Sequence, residues 1–152
     1  MQLTPKVIKS IETSVLCWLA TATLDGLPNV SPKEIFTHFD GTEILIANIS
    51  SPGSMRNIKI NPAVCVSFID IFTQKGYQVK GQADILSPAH SEFLSRSKPL
   101  VFMAGNDFPF SSLIRIKVEK VKAILAPRYV FYPETTEEEQ KLSARRTYGC
   151  LE

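Results

Sequence analysis

The stretch "LATATLDGLPNVSPKEIFTHFDGTEILIANI", residues 19–49, predicts a protein built mainly of antiparallel β-strands. Its apolar and β-branched segments are separated by Asp25-Gly26 and Asp40-Gly41. These dipeptides favour tight turns between neighbouring strands. We therefore expect a meander of three strands between residues 17 and 49.

Three further strands are predicted after this meander: "AVCVSFIDI" from residue 63, "KGYQVKGQADIL" from residue 75 and "SSLIRIKVEKVKAIL" from residue 111. The last of them alternates strictly, so Ile114, Ile116 and Val118 are expected to point inward. Pro28 and Pro32 restrict the second strand of the meander, residues 27–39, to an edge or a bulge. Proline has no N–H to donate to a neighbouring strand.

Helices are predicted at four places. Thr4 before Pro5 begins an N-terminal helix, and a short helix follows the third strand. Ser87 caps a further helix that runs to about residue 98. The C-terminal segment has the acidic start and basic end of a helix. Six strands with few helices predict a mainly β barrel with helical additions. We expect one domain over residues 1–152, with the barrel at about 15–125 and a C-terminal extension at 127–152.

Composition narrows the class of protein. The chain has 152 residues, is 44% hydrophobic and 21% charged, and carries a net charge of +2. These values are ordinary for a globular domain and do not favour nucleic-acid binding. Cys17, Cys65 and Cys150 are too far apart in sequence for a zinc motif or a disulfide framework. No signal peptide or membrane-spanning stretch is apparent, so we expect a cytoplasmic protein that does not enter a membrane.

The segment "NISSPGSMRNIKINP", residues 48–62, passes from the end of an apolar strand to a hydroxyl-rich loop and then to a basic helix. We predict that Ser54 caps this helix. The free N–H groups of a helix start, the Ser51 and Ser54 hydroxyls and the cations of Arg56 and Lys59 could together bind an anion such as a phosphate. The alternative is an ordinary surface helix that Ser54 only caps. The segment alone leaves both interpretations open.

No catalytic or metal-binding group stands out elsewhere in the sequence. His38 and His90 have no carboxylate or cysteine at the spacing of metal ligands, and no pair of nucleophile and base can be identified. An enzyme built on this chain would therefore take its reactivity from a cofactor.

Three segments resemble the pyridoxamine 5′-phosphate oxidase-like family of FMN-binding split barrels in their order and spacing. They are "LATATLDGLPNVSPKEIF", "DGTEILIANISSPGSMRNIKINPAVCVSFID" and "GYQVKGQADIL", and the resemblance covers about residues 7 to 122. It implies a six-stranded antiparallel split barrel with an N-terminal helix, a short helix after the third strand and a C-terminal helix. It also implies a homodimer that binds FMN in a groove between its two subunits.

The resemblance implies roles for particular residues. Residues 31–33 would line the flavin ring and ribityl chain, and residues 47–51 would follow the cofactor. Residues 52–55 would form the loop that holds the phosphate, and Asn57 would brace that loop. Lys80 would lie near the flavin. The implied cofactor-binding residues are Ser31, Pro32, Lys33, Ala47, Asn48, Ile49, Ser50, Ser51, Pro52, Gly53, Ser54, Met55, Asn57 and Lys80.

Two departures from the family pattern bear on the reaction. Gly53-Ser54 stands where the pyridoxamine phosphate oxidases carry a basic pair, and "RTYGCLE" lacks their C-terminal signature. The resemblance therefore implies an FMN-dependent oxidoreductase that passes electrons or hydride to a small acceptor, rather than the vitamin-B6 reaction.

Three alternatives stay open. The chain could be an FMN-binding or electron-transfer module without its own substrate, or a relative that binds deazaflavin or haem. A nucleic-acid-binding barrel would need interleaved basic and aromatic strand positions, which the sequence lacks. The expected partners are a second copy of the chain and a small electron donor or acceptor, with no nucleic acid and no membrane.

Overall fold

The computed structural model describes residues 1–150 of the chain. Within them the chain forms seven strands and five helices. In chain order these are α1 (Pro5–Thr13), β1 (Cys17–Ala22), β2 (Pro28–Lys33), β3 (Phe36–Phe39), β4 (Glu43–Ala47), α2 (Pro52–Ile60), β5 (Ala63–Asp70), β6 (Lys75–Leu86), α3 (Phe93–Ala104), β7 (Leu113–Leu125), α4 (Pro127–Phe131) and α5 (Glu137–Tyr148).

The strands form one antiparallel sheet in the order β2-β1-β5-β6-β7-β4-β3, which curls into a half-barrel. The prediction of a mainly β split barrel is confirmed, with seven strands instead of six. The strand predicted over residues 27–39 breaks after Lys33, because β2 pairs with β1 whereas β3 pairs with β4. β2 and β3 thus lie at opposite ends of the sheet order, and the predicted three-strand meander is wrong. Pro28 and Pro32 lie on the edge strand β2, as predicted.

The inner face of the sheet carries the hydrophobic core. Ile114 and Ile116 of β7 are completely buried and Val118 nearly so, which confirms their predicted inward direction. Helix α1 adds Val7 and Ile11 to the same core from its apolar face. Burial of this continuous apolar surface is the main favourable contribution to folding.

A β-bulge lies between β6 and β7 at Gly81. The register shifts after Lys80, which faces Lys120, so that Gly81 faces Val118. A Cβ atom at Gly81 would lie 2.1 Å from the carbonyl oxygen of Lys117. Only glycine therefore allows the two strands to approach this closely.

Two helices begin at residues other than those predicted. Helix α2 begins at Pro52 with Ser51 in the cap position, so the prediction that Ser54 caps it is wrong. Proline is favoured at the first helical position because the N–H that it lacks would have no partner there. Helix α3 begins at Phe93 rather than near Ser87, because the residues between them first form turns.

A network of charged side chains anchors α3 to the sheet. Arg96 of α3 donates hydrogen bonds to Glu43 of β4 through Nε at 2.8 Å and Nη2 at 3.1 Å. Arg115 of β7 donates to Asp84 of β6 and to Glu92, the residue before α3. The hydrogen bonds to Asp84 and Glu92 raise the pKa of Arg115 despite its burial. The network thus fixes the position of α3 on the sheet. The loop that follows α3 reaches the cleft described below.

None of the helices between residues 1 and 150 combines the length and the apolar character needed to cross a membrane.

Candidate functional site

A cleft of about 210 Å³ opens where the ends of β2 and β4 come together. This volume is below the roughly 300–1,000 Å³ that is usual for small-molecule sites, so a large ligand would need a second wall. Four of the predicted cofactor residues line the cleft. The complete lining is Pro32, Lys33, Glu34, Ile35, Ala47, Ile49 and Phe108.

Lys33 is the cation of this cleft. Its side chain is nearly buried at the end of β2, with 9% of the residue exposed, and its Nζ donates a hydrogen bond to Ser51 Oγ. Burial lowers the pKa of the ammonium group, an effect that nearby Cys17 partly opposes. Lys33 forms no ion pair with any of residues 1–150. An anionic ligand group could therefore supply the missing negative charge.

The segment after β4 is held in an irregular conformation. Asn48 donates from its backbone N to the Ser112 carbonyl at 3.1 Å and from Nδ2 to Ser112 Oγ at 2.9 Å. Its Oδ1 is buried and has no hydrogen-bond partner within the described residues. Ser50 has a positive φ of 50°, unusual for a residue other than glycine. Ser51 Oγ donates to the Ile49 carbonyl at 3.1 Å, so its hydroxyl is already engaged.

The side chains of Ser54 and Asn57 face inward, toward β1 and β2. Ser54 is 2% exposed, accepts a hydrogen bond from Asn29 Nδ2 at 3.3 Å and lies 3.4 Å from Ser31 Oγ. Asn57 donates from Nδ2 to Thr21 Oγ1 at 3.0 Å. The two side chains are three positions apart and therefore share one face of α2. They tie the helix to β1 and β2, which fits the bracing role implied for Asn57.

The N-terminus of α2 has backbone N–H groups that could bind an anion. The first helical hydrogen bond runs from Met55 N to the Ser51 carbonyl at 3.0 Å, and Pro52 has no N–H. The N–H groups of Gly53 and Ser54 precede that bond, and such groups carry the positive end of the helix dipole. Met55 itself packs against the core.

Lys80 does not lie with these residues in the single chain. It is exposed on the outer face of β6, and β5 and β1 separate β6 from β2 in the sheet. The implied contact of Lys80 with a flavin stays a prediction.

The structure adds residues that the sequence analysis did not identify. Phe108, from the loop after α3, forms part of the cleft wall, and nothing in the local sequence indicates that it would. Asn29 and Thr21 complete the polar cluster beneath α2. Asn29 could have been found, because it precedes Ser31 and Lys33 at strand spacing and such residues share one face.

Comparison with known proteins places the chain in a family. Residues 3–125 match the model of the pyridoxamine 5′-phosphate oxidase family, and the chain belongs to that family. The curated proteins yielded no match.

Solved structures share the fold at low sequence identity. HupZ from Group A Streptococcus is 21% identical with a TM-score of 0.68, and the alignment covers 79% of this chain and 92% of that one. An FMN-binding protein from Syntrophomonas wolfei is 15% identical with a TM-score of 0.66, covering 80% and 85%. HutZ, a haem storage protein from Vibrio cholerae, is 18% identical with a TM-score of 0.65, covering 82% and 95%. The fold is therefore shared by a protein named for FMN binding and a protein named for haem storage.

Proposed function

We propose that this protein binds FMN in the cleft beside Lys33 and acts as an FMN-dependent oxidoreductase. The observation that carries the proposal is the nearly buried Lys33 ammonium group, which lacks an ion-pair partner in residues 1–150 and adjoins the start of α2. Family membership and the similarity to an FMN-binding protein support it. A cytoplasmic location, expected because the sequence shows no signal peptide, is part of the proposal.

The residues of the cleft, together with the start of α2 that adjoins it through Ser51, fit the chemical parts of FMN. Ala47, Ile49 and Phe108 offer an apolar wall for a flat ring. The N–H groups of Gly53 and Ser54 at the start of α2 would donate hydrogen bonds to the phosphate. Lys33 would stabilise negative charge near the ring. When bound, FMN supplies the transfer of hydride or electrons, which the side chains of the cleft do not provide.

Among residues 1–150, Glu34 and Lys33 are the only titratable side chains that line the cleft, and neither has a hydrogen-bonded acid–base partner there. This observation favours one alternative, an FMN-binding or electron-transfer module without a substrate. Steady-state oxidation of NADH or NADPH with a small acceptor supports the enzyme, whereas one reduction per bound flavin without turnover supports the module.

The similarity to HutZ favours haem as another candidate cofactor. Haem iron is usually held by histidine, cysteine, methionine or tyrosine. No residue of these types in the described part of the chain, residues 1–150, lines the cleft, so the donor set does not fit haem at this place. A deazaflavin has no such requirement and would be distinguished from FMN by its mass.

We further propose that the functional unit is a homodimer with the cofactor at the interface. The cleft is too small to enclose a flavin, and burial of most of a ligand requires a second wall. The outer face of β1 and β2 exposes Trp18 by 48% and Val30 by 56%, beside Pro32 at the cleft. An apolar surface of this kind is typical of a subunit contact.

The proposal is tested on freshly purified protein. We expect a yellow protein whose extracted cofactor has the mass of FMN, and whose absorbance bleaches when NADH or NADPH is added. Colourless protein that leaves the fluorescence of added FMN unchanged would overturn the proposal. A haem or deazaflavin mass would assign the cleft to that cofactor instead.

A further inference from the structure

Three lysines gather on the outer face of the long β6–β7 ribbon. Lys80 lies directly opposite Lys120, and Lys122 lies opposite Gln78 in the adjacent pair of the same face. The four side chains line a cleft of about 180 Å³. All three lysines are exposed, and Gln78 is half-buried. We call this group the lysine patch.

Glu119, the residue before Lys120, is the carboxylate beside the lysine patch, and it accepts a hydrogen bond from Gln82 Nε2 at 3.3 Å instead of pairing with a lysine of residues 1–150. The outer-face neighbours on β5 are uncharged, since Cys65 lies opposite Lys80 and Ser67 opposite Gln78. None of the three lysines forms an ion pair within residues 1–150. Like charges directly opposite each other on a sheet destabilise it. The apo protein therefore keeps an arrangement that a bound anion would stabilise.

We propose that the lysine patch binds the oligophosphate group of a small-molecule ligand. Three ammonium groups around one cleft offer up to nine N–H donors, and Gln78 adds an amide that can also donate. Lysine binds phosphate oxygens as a compact point charge, without the planar geometry that arginine demands. No aromatic side chain of the described residues lines this cleft, so it offers charge recognition without the base stacking that single-stranded nucleic acid requires.

This site goes beyond the proposed FMN function. The lysine patch shares no lining residue with the cleft beside Lys33, and β5 and β1 separate β6 from β2. Lys80 is the one member that the family resemblance assigns to a flavin, so the variants below are made at Lys120.

The test titrates the protein with pyrophosphate by calorimetry at constant ionic strength. We expect Lys120→Gln to weaken binding by about tenfold or more, the effect of losing one charge-assisted hydrogen bond. Lys117→Gln is the matched control. Lys117 lies on the same face of β7, but it faces Gln82 and lies outside the cleft. We expect Lys117→Gln to change the affinity for pyrophosphate by less than about twofold, because salt screens charges that lie further from the ligand.

Stability gives a second readout. Without pyrophosphate, Lys120→Gln should unfold at a slightly higher temperature than the natural protein, because a like-charge pair is removed. Pyrophosphate should stabilise the natural protein by mass action and the variant much less.

Several outcomes would overturn the proposal. The first is the absence of pyrophosphate binding, and the second is an equal loss of affinity in Lys120→Gln and Lys117→Gln. The third is protection of the three lysines from acetylation before pyrophosphate is added, because such protection would mean that another protein surface covers the lysine patch. Loss of copurified FMN in Lys120→Gln would assign the lysine patch to the cofactor and would equally contradict a separate site. A protein that binds no FMN but shows the predicted pyrophosphate response would contradict only the proposed function.

Discussion

Lys33 Nζ donates a hydrogen bond to Ser51 Oγ and thereby ties the end of β2 to the residue before α2, although the two are 18 positions apart in the sequence. Ser51 Oγ in turn donates to the Ile49 carbonyl. The cation is thus held at the wall of the cleft instead of extending into solvent.

Lys33→Met should make the reduction potential of bound FMN more negative. A cation near the ring favours the anionic reduced form, and at about 4 Å and an effective dielectric near 20 the interaction is about 4 kcal/mol before desolvation is subtracted. We expect a shift of about 30 mV or more, equivalent to about 1.4 kcal/mol for two electrons, with a smaller change in FMN retention. Spectroelectrochemical titration measures it. The control is Lys59→Met on the exposed face of α2, and an unshifted potential in Lys33→Met would mean that Lys33 does not face the ring.

We expect the stability difference between the natural protein and Lys33→Met to depend on pH. Burial lowers the pKa of Lys33 below its ordinary value of 10.5, so the unfolded chain binds this proton more tightly than the folded chain does. Stability of the natural protein therefore rises with pH between the lowered pKa and about 10.5. FMN-free Lys33→Met should be the more stable protein at pH 7, and its advantage should shrink toward about pH 10. Urea unfolding at both pH values checks this, and a constant difference would contradict it.

Gly53→Asp separates a phosphate site from a simple helix start. A Cβ at Gly53 would make only an ordinary contact, 3.6 Å from Asn29 Oδ1, and an aspartate there suits the helix dipole. The FMN-free variant should be as stable as the natural protein or up to about 1 kcal/mol more stable. Its FMN affinity should fall by about a hundredfold or more, because a carboxylate near a phosphate is repelled by a few kcal/mol.

The neutral Gly53→Asn variant is the control for that experiment, and its FMN affinity should stay within about tenfold of the natural protein. Fluorescence titration with FMN measures both variants. Equal affinities for Gly53→Asp and Gly53→Asn would remove the phosphate from the start of α2.

Ser54→Asp should instead damage the fold. The Ser54 side chain is buried against Asn29 and Ser31, so a carboxylate there would lose its hydration without gaining a cation. We expect a loss of about 2–4 kcal/mol of unfolding free energy, against about 1 kcal/mol for Ser54→Ala. Denaturant unfolding of the FMN-free proteins compares them. Full stability of Ser54→Asp would show that this side chain is not confined beneath α2.

Asn57 and Thr21 should be energetically coupled. Their hydrogen bond is buried and joins α2 to β1. Asn57→Ala should therefore destabilise the chain by about 1–3 kcal/mol. In a double-mutant cycle with Thr21→Val we expect a coupling energy of about 0.5–1.5 kcal/mol. Additive effects of the two substitutions would contradict the contact.

Trp18→Glu should convert the proposed dimer to a monomer and release FMN together with it. Trp18 is half-exposed on the apolar outer face of β1, where a charge would oppose subunit contact. Phe102→Glu is the control, because Phe102 is 91% exposed on α3, away from that face. Light scattering with cofactor absorbance measures both variants. A monomer that keeps its FMN would refute the proposed interface.

Local patterns in the sequence determined much of the fold. Strict alternation predicted that Ile114, Ile116 and Val118 point inward, and all three are buried. Pro5 and the capping box between Thr136 and Glu139 begin helices that depend only on neighbouring residues. The outcome agrees because side-chain direction in a strand and hydrogen bonding at a helix start are short-range properties.

Tertiary structure decided how these strands and helices pair and pack. No local sequence pattern predicts this arrangement. Two strands replace the one predicted over residues 27–39, because β1 and β4 each pair with a different part of it. Ser54 satisfies the pattern of a helix cap, yet it lies inside α2 because Pro52 can begin the helix earlier and Asn29 Nδ2 donates a hydrogen bond to the Ser54 hydroxyl. Lys33, Ile49 and Phe108 share a cleft only because distant strand pairs bring their ends together. Such pairings depend on contacts between residues that are far apart in the chain. Local sequence patterns do not indicate which of these residues come into contact.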